Sequence, residues 1–188
     1  MAPQSVGSND MRVFRPEAFA GMFLLTISAG IAGAHPMGNL SINHYARLEP
    51  GADGVDVTYV LDLAELPTFE LMQTWGASAG TAKDILDQKA AAQAREWIAN
   101  LTFLEDGKRL TPRSESTDLA IIDGAANLPV FRIATKLHVP AAGGRLEYED
   151  HNYTTRAGWR EIVVRAGSGA EIRQASNDGQ DLSQALTS

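Results

Sequence analysis

Histidines are the side chains in this sequence that most clearly suggest chemistry, and there are four of them: His35, His44, His138 and His151. His35 directly follows Ala34, and cleavage of the chain between these two residues would make His35 the first residue of the mature protein. A free amine beside an imidazole is a two-point chelate for a metal ion. If His44 adds a second imidazole, the three nitrogens form a site that suits Ni(II) or Cu(II).

His44 also has a second interpretation. Residues 39–49 alternate between apolar and polar side chains, which predicts a half-buried strand. His44 falls on the apolar face with Ile42 and Ala46. A histidine there can be a buried group satisfied by local hydrogen bonds, and the strand runs away from His35. His44 therefore reaches His35 only if the leading segment folds back.

A further group of titratable side chains lies near residue 150. Glu147, Glu149 and His151 share one face of a predicted strand, and carboxylates with an imidazole can bind a cation. A solvated outer face of a sheet explains the same pattern. His138 has no partner at a spacing that favours a metal site.

The first 34 residues predict a signal peptide. Arg12 and Arg15 precede residues 18–31, which carry no charge, and Ala32-Gly33-Ala34 offers small side chains where a signal peptidase cuts. The uncharged run is shorter than the roughly 20 residues that span a membrane. We therefore predict a periplasmic or otherwise extracytoplasmic protein, secreted by cleavage after Ala34, with no transmembrane segment in the mature chain.

Composition narrows the possible functions. The chain has 188 residues, a net charge of −7 and no cysteine. Phosphate contacts require clustered Lys and Arg, so the acidic balance disfavours nucleic acid as a partner. Without cysteine, thiolate metal sites and thiol catalysis are excluded, and a metal must use His, carboxylate, amide oxygen or the terminal amine.

The pattern of residues 35–167 predicts a mainly β domain. About seven to nine short segments have strand periodicity, and turn signals recur about every ten residues. The clearest pair, 39–49 and 55–63, predicts an antiparallel hairpin, whereas apolar residues recur at helical spacing over about 82–99. We expect an antiparallel β-sandwich with one inserted α-helix, followed by a polar segment, 168–188, whose composition predicts disorder.

Several motifs of known enzyme classes are missing from the sequence. It contains no P-loop, no HExxH and no dinucleotide-binding fingerprint. This pattern favours a protein that is not an enzyme.

Three parts of the sequence resemble one bacterial domain family. Residues 35–45 (HPMGNLSINHY) resemble its opening after the signal peptide, and residues 60–69 (VLDLAELPTF) resemble its second strand. Residues 151–153 (HNY) and 158–162 (GWREI) resemble its later pieces, in the same order. These are the extracytoplasmic domains that precede a multi-span nickel/cobalt permease of the NicO-like type, although the present sequence contains no permease helices. The likeness covers most of 35–166.

The resemblance implies an exported accessory domain for divalent metal transport, with a membrane nickel/cobalt permease as its partner. It fixes neither a ligand residue nor a cofactor; Ni(II), Co(II) and Cu(II) are the candidates, and His35 and His44 are the hypothetical ligands. Two alternatives stay open at this point. One is a copper-dependent surface enzyme with an N-terminal histidine brace, and the other is a structural periplasmic domain without a ligand.

Overall fold

The computed structural model describes residues 39–176 and 180–186. Within them, the chain forms eight strands and two α-helices, with a short 3-10 turn before the sixth strand. In chain order, the elements are β1 (Ile42–Gly51), β2 (Gly54–Leu63), α1 (Glu65–Thr74), α2 (Lys83–Ala99), β3 (Leu101–Glu105), β4 (Lys108–Arg109), β5 (Arg113–Asp123), the turn Ala125–Asn127, β6 (Pro129–Val139), β7 (Leu146–Asp150) and β8 (Arg160–Val164).

The strands form two sheets, which confirms the mainly β fold. The larger sheet has the order β5-β6-β2-β1-β8 and the smaller has the order β4-β3-β7. Neighbouring strands are antiparallel except β1 and β8, which run parallel. Tight hairpins force antiparallel pairing. The chain enters β8 from β7 in the other sheet, so no hairpin sets its direction.

One apolar core lies between the larger sheet and a layer made of both helices and the smaller sheet. The β2 face that points inward carries an unbroken apolar series at alternate positions, as its sequence predicts. The larger buried side chains of this core come from both sheets and both helices: Tyr59, Leu61, Leu63, Leu71, Met72, Trp75, Leu86, Trp97, Phe103, Phe131, Ile133 and Leu137.

The helix predicted over about 82–99 is confirmed as α2. The structure adds a second helix, α1, where the sequence predicts only one inserted helix. Pro67 stands in the first turn of α1, where a backbone N–H has no partner within the helix, so proline does not stop it. The Leu66 N–H, which has no partner within the helix, donates to the carbonyl oxygen of Asn39 at 3.0 Å. Among the described residues, neither helix has the length and apolar character needed to cross a membrane.

The first strand is buried on both faces at its beginning. His44 and Ala46 face the main core as predicted, but Tyr45 on the opposite face is also fully buried. Tyr45 packs with Val60 and Val163, and residues 180–186 cover this second cluster. Those residues belong to the segment 168–188, for which disorder stays a prediction.

A close backbone contact holds β8 against β1. Gly158 has a φ of +147°, and a Cβ at this position would lie 1.8 Å from the carbonyl oxygen of Ile42. On either side of Gly158, the Ile42 N–H donates to Ala157 O at 2.8 Å and the His44 N–H donates to Trp159 O at 2.9 Å. Only glycine satisfies both the dihedral angle and the space.

Replacing Gly158 with alanine should therefore separate β8 from β1. We expect Gly158→Ala to lower the free energy of unfolding by about 3 kcal/mol or more, measured by urea denaturation. Gly76→Ala is the control, because Gly76 also has a positive φ but no atom within 4 Å of a built Cβ. That change should cost only about 1 kcal/mol. Equal losses of unfolding free energy in the two variants would show that the close approach to Ile42 does not determine the cost of a side chain at residue 158.

Candidate functional site

A buried histidine–carboxylate pair joins the two sheets. His44 in β1 and Asp150 in β7 meet through Nδ1 and Oδ2 at 2.6 Å. Their side chains are only 5% and 9% exposed, respectively. A charge at this depth is costly unless it is paired, so the pair must be considered together with its neighbours.

Asp150 is held in its ionised form by these neighbours. Burial by itself would raise the pKa of Asp150, but hydrogen bonds from the His44 ring, the Asn152 backbone N–H and the Tyr59 hydroxyl together lower that pKa below its ordinary value of 3.8. An ionised carboxylate only accepts hydrogen bonds, so Nδ1 of His44 carries the proton. In the neutral ring, Nε2 then has the free lone pair.

Tyr59 and Asn152 complete the support of the carboxylate. The Tyr59 hydroxyl donates to Asp150 Oδ2 at 3.1 Å and accepts from Asn152 Nδ2 at 3.1 Å. The Asn152 backbone N–H donates to Asp150 Oδ1 at 2.9 Å. Burial, together with the charge of Asp150, raises the pKa of Tyr59, so its hydroxyl keeps the proton that it donates.

Arg160 closes the group from the edge strand β8. Its guanidinium donates to the backbone carbonyls of Asp150 at 2.9 Å and Asn152 at 2.6 Å. It also lies 3.5 Å from Asp150 Oδ2. The cation therefore fixes the chain that follows β7 and compensates part of the buried negative charge.

A cleft of about 340 Å³ opens beside this group. A volume of this size is at the lower end of the range for small-molecule sites. The side chains that matter for its chemistry include His44, Tyr59, Tyr148, Asp150 and Arg160. Burial raises the pKa of Tyr148 as well, so both tyrosines present neutral hydroxyls. His44 offers a buried imidazole to a metal ion here, and the exposed side chains of Glu149 and His151 also line the cleft.

The other histidines of the described part lie at the surface. His138 Nδ1 contacts Asp56 Oδ1 at 2.8 Å across neighbouring strands. His151 lies 3.3 Å from Glu149, and both are exposed, as is Glu147. These three residues therefore lie on a solvated face of the strand. This is the simpler of the two interpretations that their pattern allowed.

Ala34 and His35 lie outside the described residues, so the predicted cleavage and the terminal chelate stay predictions. Over residues 39–176 and 180–186, no group of three or more His, Cys, Asp or Glu side chains is arranged to hold a metal ion. His44 has the burial and local hydrogen bond of a satisfied histidine. Its proposed role as a metal ligand requires further donors beyond those residues.

Sequence reasoning missed the partners of His44. Asp150 carried a signal, because it shares a strand face with the apolar Leu146 and with Tyr148, where a carboxylate needs a buried partner. Asn152 and Arg160 lie in the short pieces that carry the family resemblance. Tyr59 looked like one more member of the apolar series of β2.

The segments that carry the resemblance meet in space around this group. His44 comes from residues 35–45, Asn152 from 151–153 and Arg160 from 158–162. Residues 60–69 join them through the Ala64 N–H, which donates to Ser41 O at 3.0 Å. Comparisons with protein-family models, curated proteins and solved structures found no match. The family likeness therefore rests on these residues alone.

Asp150→Asn tests how much the buried charge of Asp150 contributes to the free energy of unfolding. At neutral pH, we expect a loss of about 3 kcal/mol, because removing one member leaves the others unpaired. The folded pKa of Asp150 lies below the unfolded value of about 3.9, so its contribution is present above about pH 4 and is lost as the pH falls through the folded pKa. The difference between the two proteins in denaturant unfolding should shrink over that acid range.

Asp56→Asn is a matched control. It removes the carboxylate partner of another histidine, His138, but the Asp56 side chain is 72% exposed. Exposed pairs contribute little, so the change should stay within about 0.5 kcal/mol. A loss for Asp150→Asn that is the same at neutral pH and at pH 3 would contradict the assigned ionisation.

Proposed function

We propose that this protein is an exported, non-enzymatic accessory domain that handles a divalent metal, nickel or cobalt, beside a membrane permease. The observation that carries this proposal is the orientation of His44 by Asp150 at the side of the cleft. Metal-binding histidines usually donate their second ring N–H to a carboxylate or carbonyl, which fixes the tautomer and raises the basicity of the coordinating nitrogen. The resemblance to permease-associated domains supports the same class of function.

His35 supplies the remaining donors in this proposal. After cleavage behind Ala34, its amine and ring nitrogen would join Nε2 of His44 in a three-nitrogen set. Such a set suits Ni(II), Co(II) or Cu(II) better than it suits hard cations. The metal is cargo rather than a catalytic cofactor, so an incomplete ligand set that exchanges readily is consistent with delivery.

His35 can reach His44 only through the chain that precedes Asn39. Asn39 O accepts from the Leu66 N–H and Ser41 O accepts from the Ala64 N–H, so the chain is fixed from Asn39 onward. The four steps from residue 35 to residue 39 span at most about 14 Å when extended. The proposal therefore requires these four steps to turn back toward β1.

Calorimetric titration of the processed protein with Ni(II), Co(II) and Cu(II) tests the proposal. We expect one site for Ni(II), and we expect His44→Asn to weaken it at least tenfold. Asparagine keeps an N–H close to the position of Nδ1, so the bond to Asp150 can persist while the Nε2 donor is lost. Asp150→Asn should weaken binding by about 10- to 100-fold, as is typical when the carboxylate partner of a ligand is lost.

Two controls make the titration specific. His138→Asn removes a partly exposed histidine that also pairs with a carboxylate, and it should leave affinity unchanged. A chain with an extra methionine before His35 should bind more weakly, because its amine is displaced from the imidazole. Unchanged binding by His44→Asn would remove His44 from the site, and absence of binding by all forms would rule out metal handling.

A further inference from the structure

The outer face of the larger sheet contains a groove that is filled by the chain itself. Residues 180–186, here called the strap, lie across β1 and β8 on the face opposite to the cleft. We propose that this groove is a docking site for a peptide segment of another protein, which carries a carboxylate and, five residues later, an aliphatic side chain. The strap is its resident, displaceable occupant.

The floor of the groove is apolar and depends on its occupant for burial. Tyr45, Val60 and Val163 form the floor, and Leu186 inserts among them with only 4% of its surface exposed. These four residues form a cluster separate from the main core. Removing Leu186 would therefore uncover an apolar pocket with a defined shape.

Polar contacts fix the direction of the strap. The Tyr45 hydroxyl donates to Asp181 Oδ2 at 3.0 Å, and the Arg165 guanidinium lies 3.5 Å from the same oxygen. At the next residue, the backbone N–H of Leu182 donates to Glu161 Oε1 at 2.6 Å. The groove thus offers a cationic and hydroxyl anchor for a carboxylate and a carboxylate anchor for the backbone.

The strap fits the groove only with an unfavourable backbone. Gln184, Ala185 and Leu186 have φ values of 50°, 59° and 62°. Side chains other than glycine disfavour this left-handed region. Bonds within the strap hold the turn: the Ala185 N–H donates to Asp181 Oδ1 and the Leu186 N–H donates to Ser183 Oγ, both at 3.2 Å. A partner segment that presents the same two side chains on a relaxed backbone would bind the groove better than the strap does.

The strap also explains which side chains define the partner. Asp181 contacts Tyr45 and Leu186 packs on the floor, and Ser183 is buried as well, whereas Leu182 is 72% exposed. Burial, the hydrogen bond to Asp181 and the charge of that carboxylate raise the pKa of Tyr45 to about 12. Displacement of the strap should therefore bring the Tyr45 titration back toward about 10.

A labelled peptide with the sequence of residues 180–186 and capped ends tests the groove. Fluorescence anisotropy measures binding of this peptide to the unaltered mature chain and to a double variant of the same chain, Asp181→Ala/Leu186→Ala. The double variant has a weakened strap. The tethered strap competes at a high effective concentration, so we expect the double variant to bind the peptide at least tenfold more tightly. In parallel, tyrosinate absorbance should show the Tyr45 pKa falling in the double variant.

Leu182→Ala in the full chain is the matched control and should behave like the unaltered protein. Peptides that lack the aspartate or the final leucine should bind at least tenfold more weakly. A second measurement needs no variant: excess peptide should speed proteolytic cleavage within the strap of the unaltered chain. Equal peptide binding by the unaltered chain and the double variant, or an unchanged cleavage rate, would overturn the proposal.

Discussion

The carboxylate of Asp150 is the constraint on which the arrangement of the molecule depends. An ionised group at this depth is stable only if its hydrogen bonds are satisfied. Its partners are spread over the sequence: His44 from β1, Tyr59 from β2 and Arg160 from β8. Since Asp150 itself belongs to the smaller sheet, the bonds fix how the two sheets lie against each other. Apolar packing is non-directional, whereas these hydrogen bonds join fixed donors and acceptors of the two sheets.

Features of the fold that depend on neighbouring residues could be predicted from the sequence, whereas features that depend on contacts between distant residues could not. Alternation in β1 and β2 correctly placed His44 on the inner face, because the side-chain period of a strand is local. Only one inserted helix was expected, and the structure adds α1. Pro67 usually marks a helix boundary, but it is tolerated in a first turn. The Asp150 partnership could not be derived from spacing. It depends on β7 pairing with β3 in a separate sheet, and residues 44 and 150 are far apart in sequence.

The short motifs gain physical meaning from the contacts between them. Asn152 bonds Asp150 and Tyr59, and Arg160 holds the carbonyls on either side of that turn. Gly158 permits the close approach that brings Arg160 beside His44. Three of the four segments quoted for the family likeness, 35–45, 151–153 and 158–162, therefore supply side chains to one polar cluster. This is a reason for such residues to occur together even where metal binding is absent. For this reason the proposed metal role depends on Nε2 of His44 rather than on the likeness alone.

The cleft and the groove lie on opposite faces of the same two strands, β1 and β8. In β1, His44 faces the cleft while the next residue, Tyr45, faces the groove; in β8, Arg160 and Glu161 alternate in the same way. Parallel pairing places His44 beside Arg160 and Tyr45 beside Glu161. A movement of β8 away from β1 would therefore break the support of Asp150 on one face and the anchors of the strap on the other. An occupant that changed the position of this edge strand would change both sites, whereas one that only replaced the contacts of the strap would leave His44 as it is.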